Sequence, residues 1–181
     1  MIVFLGDSIF EWWDKKLYEQ YFSKFQPVNF ATAGYTTKDI LKFLEISGFH
    51  GLKPEVIVIL IGTNNSDHDY TSQETFNEIS KILDLLYELT PDSEIILLGI
   101  LPRGFLPMDR KRILNEQINK KLQVAKFQKS IHYADIGYLF VDTDEKISKE
   151  IMFDGLHLTP KGYFLLSEAL SGFISAVLPS S

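Results

Sequence analysis

Apolar residues along this chain come in two alternating rhythms. Short continuous runs rich in β-formers, Ile2 to Leu5, Glu55 to Ile61 and Ile95 to Ile100, read as strands buried on both faces, with Pro27 to Phe30 and Ile131 to Ile136 as shorter segments of the same kind. Between them apolar positions recur at helical spacing. These segments are Ile9 to Tyr21, a stretch opened by Thr36 or Thr37 that carries Ile40, Leu41, Phe43 and Leu44, and one carrying Phe76, Ile79, Ile82, Leu83, Leu86 and Leu89. A long helix follows Pro107, and a last one starts at Thr159-Pro160, with Thr as cap and Pro in the first turn. Thr71-Ser72-Gln73-Glu74 has the form of a capping box. Gly48 and Gly51, Pro91-Asp92 and Pro102-Arg103-Gly104 close the segments.

Five strands alternating with helices predict right-handed crossovers and a parallel sheet covered on both faces, as a single domain over residues 1–181. In such a sheet the residues just after each strand emerge along one edge, where ligands bind. Here they are Gly6-Asp7-Ser8, Gly34, Gly62-Thr63-Asn64-Asn65 and Pro102-Arg103, mostly small or polar.

Composition narrows what that edge can do. The 181 residues carry a net charge of −6 and 45% hydrophobic content, which suits one core and disfavours a nucleic-acid partner. The densest basic stretch, Asp109 to Lys129, interleaves its charges with Ile113, Ile118, Leu122 and Phe127 at helical spacing and reads as a solvated helix face. The chain contains no cysteine, which excludes disulfides, thiolate metal sites and Cys nucleophiles. The longest apolar run, Val56 to Ile61, is too short to span a bilayer, and a core strand beginning at residue 2 leaves little room for a signal peptide, so a cytoplasmic location is expected.

Two short motifs carry the candidate chemistry. Ser8 sits where a strand ends and a helix opens, with backbone N–H groups and the positive end of a helix dipole near it, which suits either an acyl-transfer nucleophile or a simple helix cap. Asp154-Gly155-Leu156-His157 precedes the last helix; an imidazole can take a serine proton near neutral pH, and a carboxylate on its other nitrogen fixes the tautomer. Gly155 permits the tight turn that lets one loop supply both groups. Gly34 and Asn64 are candidate donors to a developing oxyanion, though a turn glycine and a self-capping Asn account for them equally well in isolation.

Taken together, Ser8 in Gly6-Asp7-Ser8, Gly34, Asn64 in Gly62-Thr63-Asn64, and His157 in Asp154-x-x-His157 resemble the SGNH hydrolases, also called GDSL esterases and lipases, from Gly6 to Thr159. Gly-Thr-Asn-Asn and Leu101-Pro102-Arg103-Gly104 are most similar to the subgroup that includes the catalytic subunits of intracellular platelet-activating-factor acetylhydrolase. The resemblance implies a flavodoxin-like three-layer α/β/α sandwich of sheet order 2-1-3-4-5. It also implies Ser8 as nucleophile, His157 as base, Asp154 as its orienting acid, an oxyanion hole of Ser8 N–H, Gly34 N–H and the Asn64 amide, and no metal or cofactor. The absence of a long lid-like insertion between strands and helices points to a small ester with a short, acetyl-like acyl group, a lysophospholipid or thioester being the family alternative, and the subgroup allows a homodimer.

Asp7, Trp12, Asn65, Arg103 and Leu156 are further candidates for the substrate pocket. Paired tryptophans at Trp12-Trp13 depart from the usual family pattern, as does Asn at position 65, and paired tryptophans at the start of a helix more often belong to the core than to a pocket. Arg103 has two readings, contact with an acidic substrate group or pairing with a nearby carboxylate. Asp67-His68-Asp69 lacks a partner His cluster and reads as a solvated loop. Two rivals remain: a phosphate-receiving domain, for which the third strand delivers Gly62-Thr63-Asn64 in place of the needed Asp, and a silent binding module on the same fold.

Overall fold

A computed structural model describes residues 1–178. Its elements run β1 (Ile2–Gly6), α1 (Ser8–Glu11), α2 (Lys15–Phe22), β2 (Val28–Asn29), α3 (Thr37–Ser47), β3 (Val56–Leu60), α4 (Ser72–Leu89), β4 (Glu94–Leu98), α5 (Arg110–Val124), β5 (Ile131–Ala134) and α6 (Pro160–Val177). The five strands form one sheet of order β2-β1-β3-β4-β5, parallel throughout, the order that the family resemblance implies.

Alternation along each strand divides the core into two. Ile2, Phe4, Val56, Val58, Leu60, Ile96 and Leu98 face one side, where Phe22 of α2 and Leu166, Leu170 and Ile174 of α6 cover them. Val3, Leu5, Ile57, Ile59, Ile95 and Leu97 face the other, under Ile40 and Leu44 of α3, Ile79, Ile82 and Leu86 of α4, and Ile118 and Leu122 of α5. A sheet apolar on both faces needs a helical layer on each, which is why the strand runs are continuous rather than alternating.

Local chemistry moves several boundaries. The stretch expected as one helix over Ile9 to Tyr21 is two: α1 stops at Glu11, and Asp14 caps a new helix by accepting the Leu17 N–H at 3.0 Å. A side chain that competes for backbone donors interrupts apolar periodicity that by itself suggests continuity. The capping box is present, Thr71 Oγ1 accepting the Glu74 N–H while the Glu74 carboxylate accepts the Thr71 N–H. Leu89, expected to face inward, is exposed in the last turn of α4. The two tryptophans part company: Trp13 is buried and its indole N–H donates to Ser167 Oγ at 3.0 Å, whereas Trp12 is half exposed. His132, expected on a strand, lies on β5 and pairs with Glu94 of β4.

Candidate active site

The carboxyl ends of β1, β2 and β3 and the loop before α6 meet at one edge of the sheet, and the four motifs meet with them. Asp7 caps α1, its Oδ1 accepting the Ile9 N–H at 3.0 Å, so Ser8 is not the cap. Its hydroxyl is free to face the imidazole of His157, 149 residues away in sequence, with Oγ 3.0 Å from Nε2.

The loop that supplies His157 is closed by pairing of Met152 with Leu158, and the Phe153 N–H donates to the His157 carbonyl at 3.1 Å. Within it Asp154 is fixed three times over. Its Oδ1 accepts the N–H groups of Leu156 at 2.9 Å and His157 at 2.7 Å, and its Oδ2 lies 2.6 Å from His157 Nδ1. Gly155 takes φ +79°, a conformation that side-chain-bearing residues rarely adopt, and its carbonyl accepts the Gly104 N–H at 2.7 Å, tying this loop to the turn after β4. Partial burial alone would raise the Asp154 pKa, but the hydrogen bonds from the His157 side chain and from the two backbone N–H groups hold it below the ordinary carboxylate range. An ionised carboxylate only accepts, so Nδ1 carries the proton facing it, and Nε2 presents a lone pair to the Ser8 hydroxyl.

The Gly34 loop is held from both sides. The Ala33 N–H donates to Glu11 Oε2 at 3.0 Å, and the Tyr35 carbonyl accepts from Asn64 Nδ2 at 2.9 Å. Gly34 itself takes φ +80°, and nothing lies within 4 Å of where a Cβ would stand, so conformation rather than crowding requires glycine. Among the described residues, the N–H groups of Ser8 and Gly34 donate to no other group of the chain.

The remaining sequence candidates divide. Trp12 lies against the His157 ring, centroids 4.3 Å apart, and Leu156 is partly exposed beside it in the same loop. Asn65 does not reach the surface: it is fully buried, its Oδ1 accepting the Thr37 N–H at 3.1 Å and its amide donating to Thr37 Oγ1, so it clamps the β3 turn to the start of α3. Arg103 is likewise committed within the protein, to the Thr63 carbonyl at 3.0 Å, Ser66 Oγ at 3.1 Å and Asp67 Oδ2 at 3.0 Å. Asp67 also pairs with Lys111, and among the described residues no group of His, Asp and Glu is arranged to hold a metal ion. Two participants escaped sequence reasoning, the Tyr35 carbonyl that orients Asn64 and the Phe153 ring, stacked 5.9 Å from the imidazole. Neither carries a sequence signal beyond standing next to Gly34 and Asp154.

Asp7, also offered as a pocket residue, lies beneath the site. It is fully buried with Oδ2 unpartnered, and burial pushes its pKa up to about 6, against the opposing pull of the Ile9 N–H and of His157 and Arg103. Its proton is therefore held more tightly in the folded protein than in the unfolded chain, so its ionisation weakens the fold. That cost is absent below about pH 4, grows as pH rises towards 6 and is complete above it. Asp7→Asn, which keeps the oxygen that caps α1, is expected to raise stability at pH 7.5 by about 1–2 kcal/mol and to leave it nearly unchanged at pH 4. Urea midpoints at the two pH values measure it.

A surface depression of about 600 Å³ between the 66–72 loop and the start of α5 is lined by neither Ser8, Asp154 nor His157.

A doubly wound sheet with serine, imidazole and carboxylate in line at its carboxyl edge defines a class, the serine ester hydrolases. Residues 4–165 match the GDSL-like Lipase/Acylhydrolase family. The chain is 35% identical over 179 residues to the rat platelet-activating factor acetylhydrolase IB subunit alpha2, covering 98% of this chain and 77% of that protein. It is 31% identical to the human alpha1 subunit, covering 98% and 76%. A solved structure described as a platelet activating factor from Streptococcus pneumonia superposes with TM-score 0.82 at 28% identity, over 96% of this chain and 83% of that one. The lipase/acylhydrolase from Enterococcus faecalis has the same fold, with TM-score 0.77 at 21% identity over 99% and 97%. The chain belongs to the GDSL-like lipase/acylhydrolase family and is an ester hydrolase. Among the described residues no helix is long and apolar enough to cross a membrane.

Proposed function

We infer that the protein hydrolyses small esters with a short, acetyl-like acyl group through an acyl-Ser8 intermediate. The observation that carries this reading is the unbroken line from Ser8 Oγ through His157 to Asp154, at 3.0 and 2.6 Å. As Oγ attacks the ester carbonyl, its proton passes to Nε2, and the imidazolium so formed is stabilised by Asp154. The carbonyl oxygen gains negative charge and is met by the N–H groups of Ser8 and Gly34 and by the hydrogen of the Asn64 amide not given to Tyr35. Collapse breaks the bond to the alcohol, whose oxygen takes the proton from Nε2. Water then repeats the cycle on the acyl enzyme and frees the acid.

The acetylhydrolase names of the relatives support a short acyl group. No metal or cofactor enters any step. The residues described form one domain, which acts in the cytoplasm and can assemble as a homodimer.

A p-nitrophenyl ester series from acetate to decanoate is expected to give kcat/KM highest for the shortest acyl groups; a maximum at eight carbons or more would replace this reading with a lipase or lysophospholipase. Asn64→Ala is expected to lower kcat about 10²- to 10³-fold with little change in KM, because its donor acts on charge that develops only in the transition state. Steady-state kinetics on the acetate ester measure the split.

A further inference from the structure

Two aromatic rings rest against His157 and have no counterpart in the mechanism above. Trp12 lies 4.3 Å from the imidazole, centroid to centroid, at an interplanar angle of 31°, and Phe153 lies 5.9 Å away at 21°. Neither ring is a core residue: Trp12 is 50% exposed and Phe153 53%, whereas the neighbouring Trp13 is buried. The backbone at both is fixed, the Trp12 N–H donating to the Ser8 carbonyl at 3.0 Å and the Phe153 N–H to the His157 carbonyl at 3.1 Å, and each ring packs on the imidazole. Each ring stands beside the base and leaves apolar surface open to solvent.

The stereochemistry of acyl transfer gives that place a meaning. The four groups on the tetrahedral carbon point apart: one to Ser8 Oγ, one into the oxyanion donors, one to the acyl chain, and one, the departing oxygen, to His157 Nε2, which must protonate it. The body of the departing alcohol thus passes over the imidazole and meets whatever stands beside it. An exposed indole and an exposed phenyl offer flat apolar faces, which a ring covers well with little entropy lost and which a flexible chain covers poorly.

Resting on the esterase reading of Ser8 and His157, we propose that Trp12 and Phe153 form the subsite for the leaving alcohol and select alcohols that present the face of a ring. Trp12 then belongs to the alcohol side of the site and not to the acyl pocket.

The test compares three acetates of primary alcohols, so that acyl group and leaving-group acidity stay nearly constant: benzyl acetate, a methyl pyranoside acetylated at its primary hydroxyl, and n-hexyl acetate. The wild type is expected to prefer one or both ring acetates in kcat/KM, and the benzyl and pyranoside arms distinguish an aryl from a sugar alcohol. Trp12→Leu and Phe153→Leu are each expected to reduce the ring-to-chain ratio about three- to tenfold, the scale of one aromatic contact. Breakdown of the acetyl enzyme, which no longer contains the alcohol, should be unchanged. An unchanged ratio overturns the proposal. So does an equal loss on all three esters, which would mean that the rings only hold the imidazole, or an effect that follows acyl length instead. Labelling of Ser8 by a fluorophosphonate in the wild type and both variants shows separately whether the nucleophile is intact, so failure of the subsite and failure of the hydrolase reading are distinguishable.

Discussion

Ser8→Ala is expected to lower kcat for the acetate ester by about 10⁴-fold or more, and to abolish covalent labelling by a fluorophosphonate. The size of the loss follows from what the hydroxyl does. Its partner is His157 Nε2 at 3.0 Å, and the helix-capping role that a serine at such a position could fill belongs to Asp7. Removing the oxygen deletes the nucleophile and leaves the cap, β1 and both core layers untouched. Thermal unfolding should therefore shift little, since a part-buried hydroxyl hydrogen bond contributes about 1 kcal/mol. A variant that retained turnover within tenfold of the wild type would show that Ser8 is not the attacking group. A variant that lost activity together with its fold would show that the hydroxyl is structural.

Asp154→Asn is expected to cost about 10³-fold, concentrated in kcat. The amide oxygen can still accept from the Leu156 and His157 N–H groups, so the loop keeps its shape. Its NH₂ then faces Nδ1 where a carboxylate oxygen stood at 2.6 Å, and two donors cannot share one hydrogen bond. The imidazole is driven to the tautomer with its proton on Nε2, which can no longer take the Ser8 proton. Because Asp154 is partly exposed, water can substitute for some of its electrostatic support, which sets the expected loss below that of Ser8→Ala. Steady-state kinetics beside fluorophosphonate labelling separate the causes: labelling that slows in proportion to kcat assigns the defect to activation of Ser8, and labelling at the wild-type rate assigns it elsewhere.

The central strands were legible because their burial is written locally. Val56 to Ile61 contains no polar residue, and an apolar run of this length, short for a helix and rich in β-branched residues, reads as a strand covered on both sides. The division at Trp12 and Asp14 was less so, since periodicity carries across a cap that only hydrogen-bond geometry reveals. Asn65 and Arg103 looked like site residues because they are polar and follow strands. Their atoms turn inward to Thr37 and Thr63, a direction fixed by tertiary neighbours that local sequence does not record.

By itself the sequence determined five strands, the helices between them, the edge at which Ser8, Gly34 and Asn64 emerge, and the short loop that carries Asp154 with His157. These follow from periodicity, capping and chain length, all of which act over a few residues. Only the tertiary structure decided that an imidazole 149 residues away lies 3.0 Å from the Ser8 hydroxyl, that Glu11 and Asn64 brace the Gly34 loop from two sides, and that Trp12 stands at the base while Trp13 is buried. Contacts between distant segments depend on how two helical layers settle on the sheet, and that depends on the packing of the whole core at once.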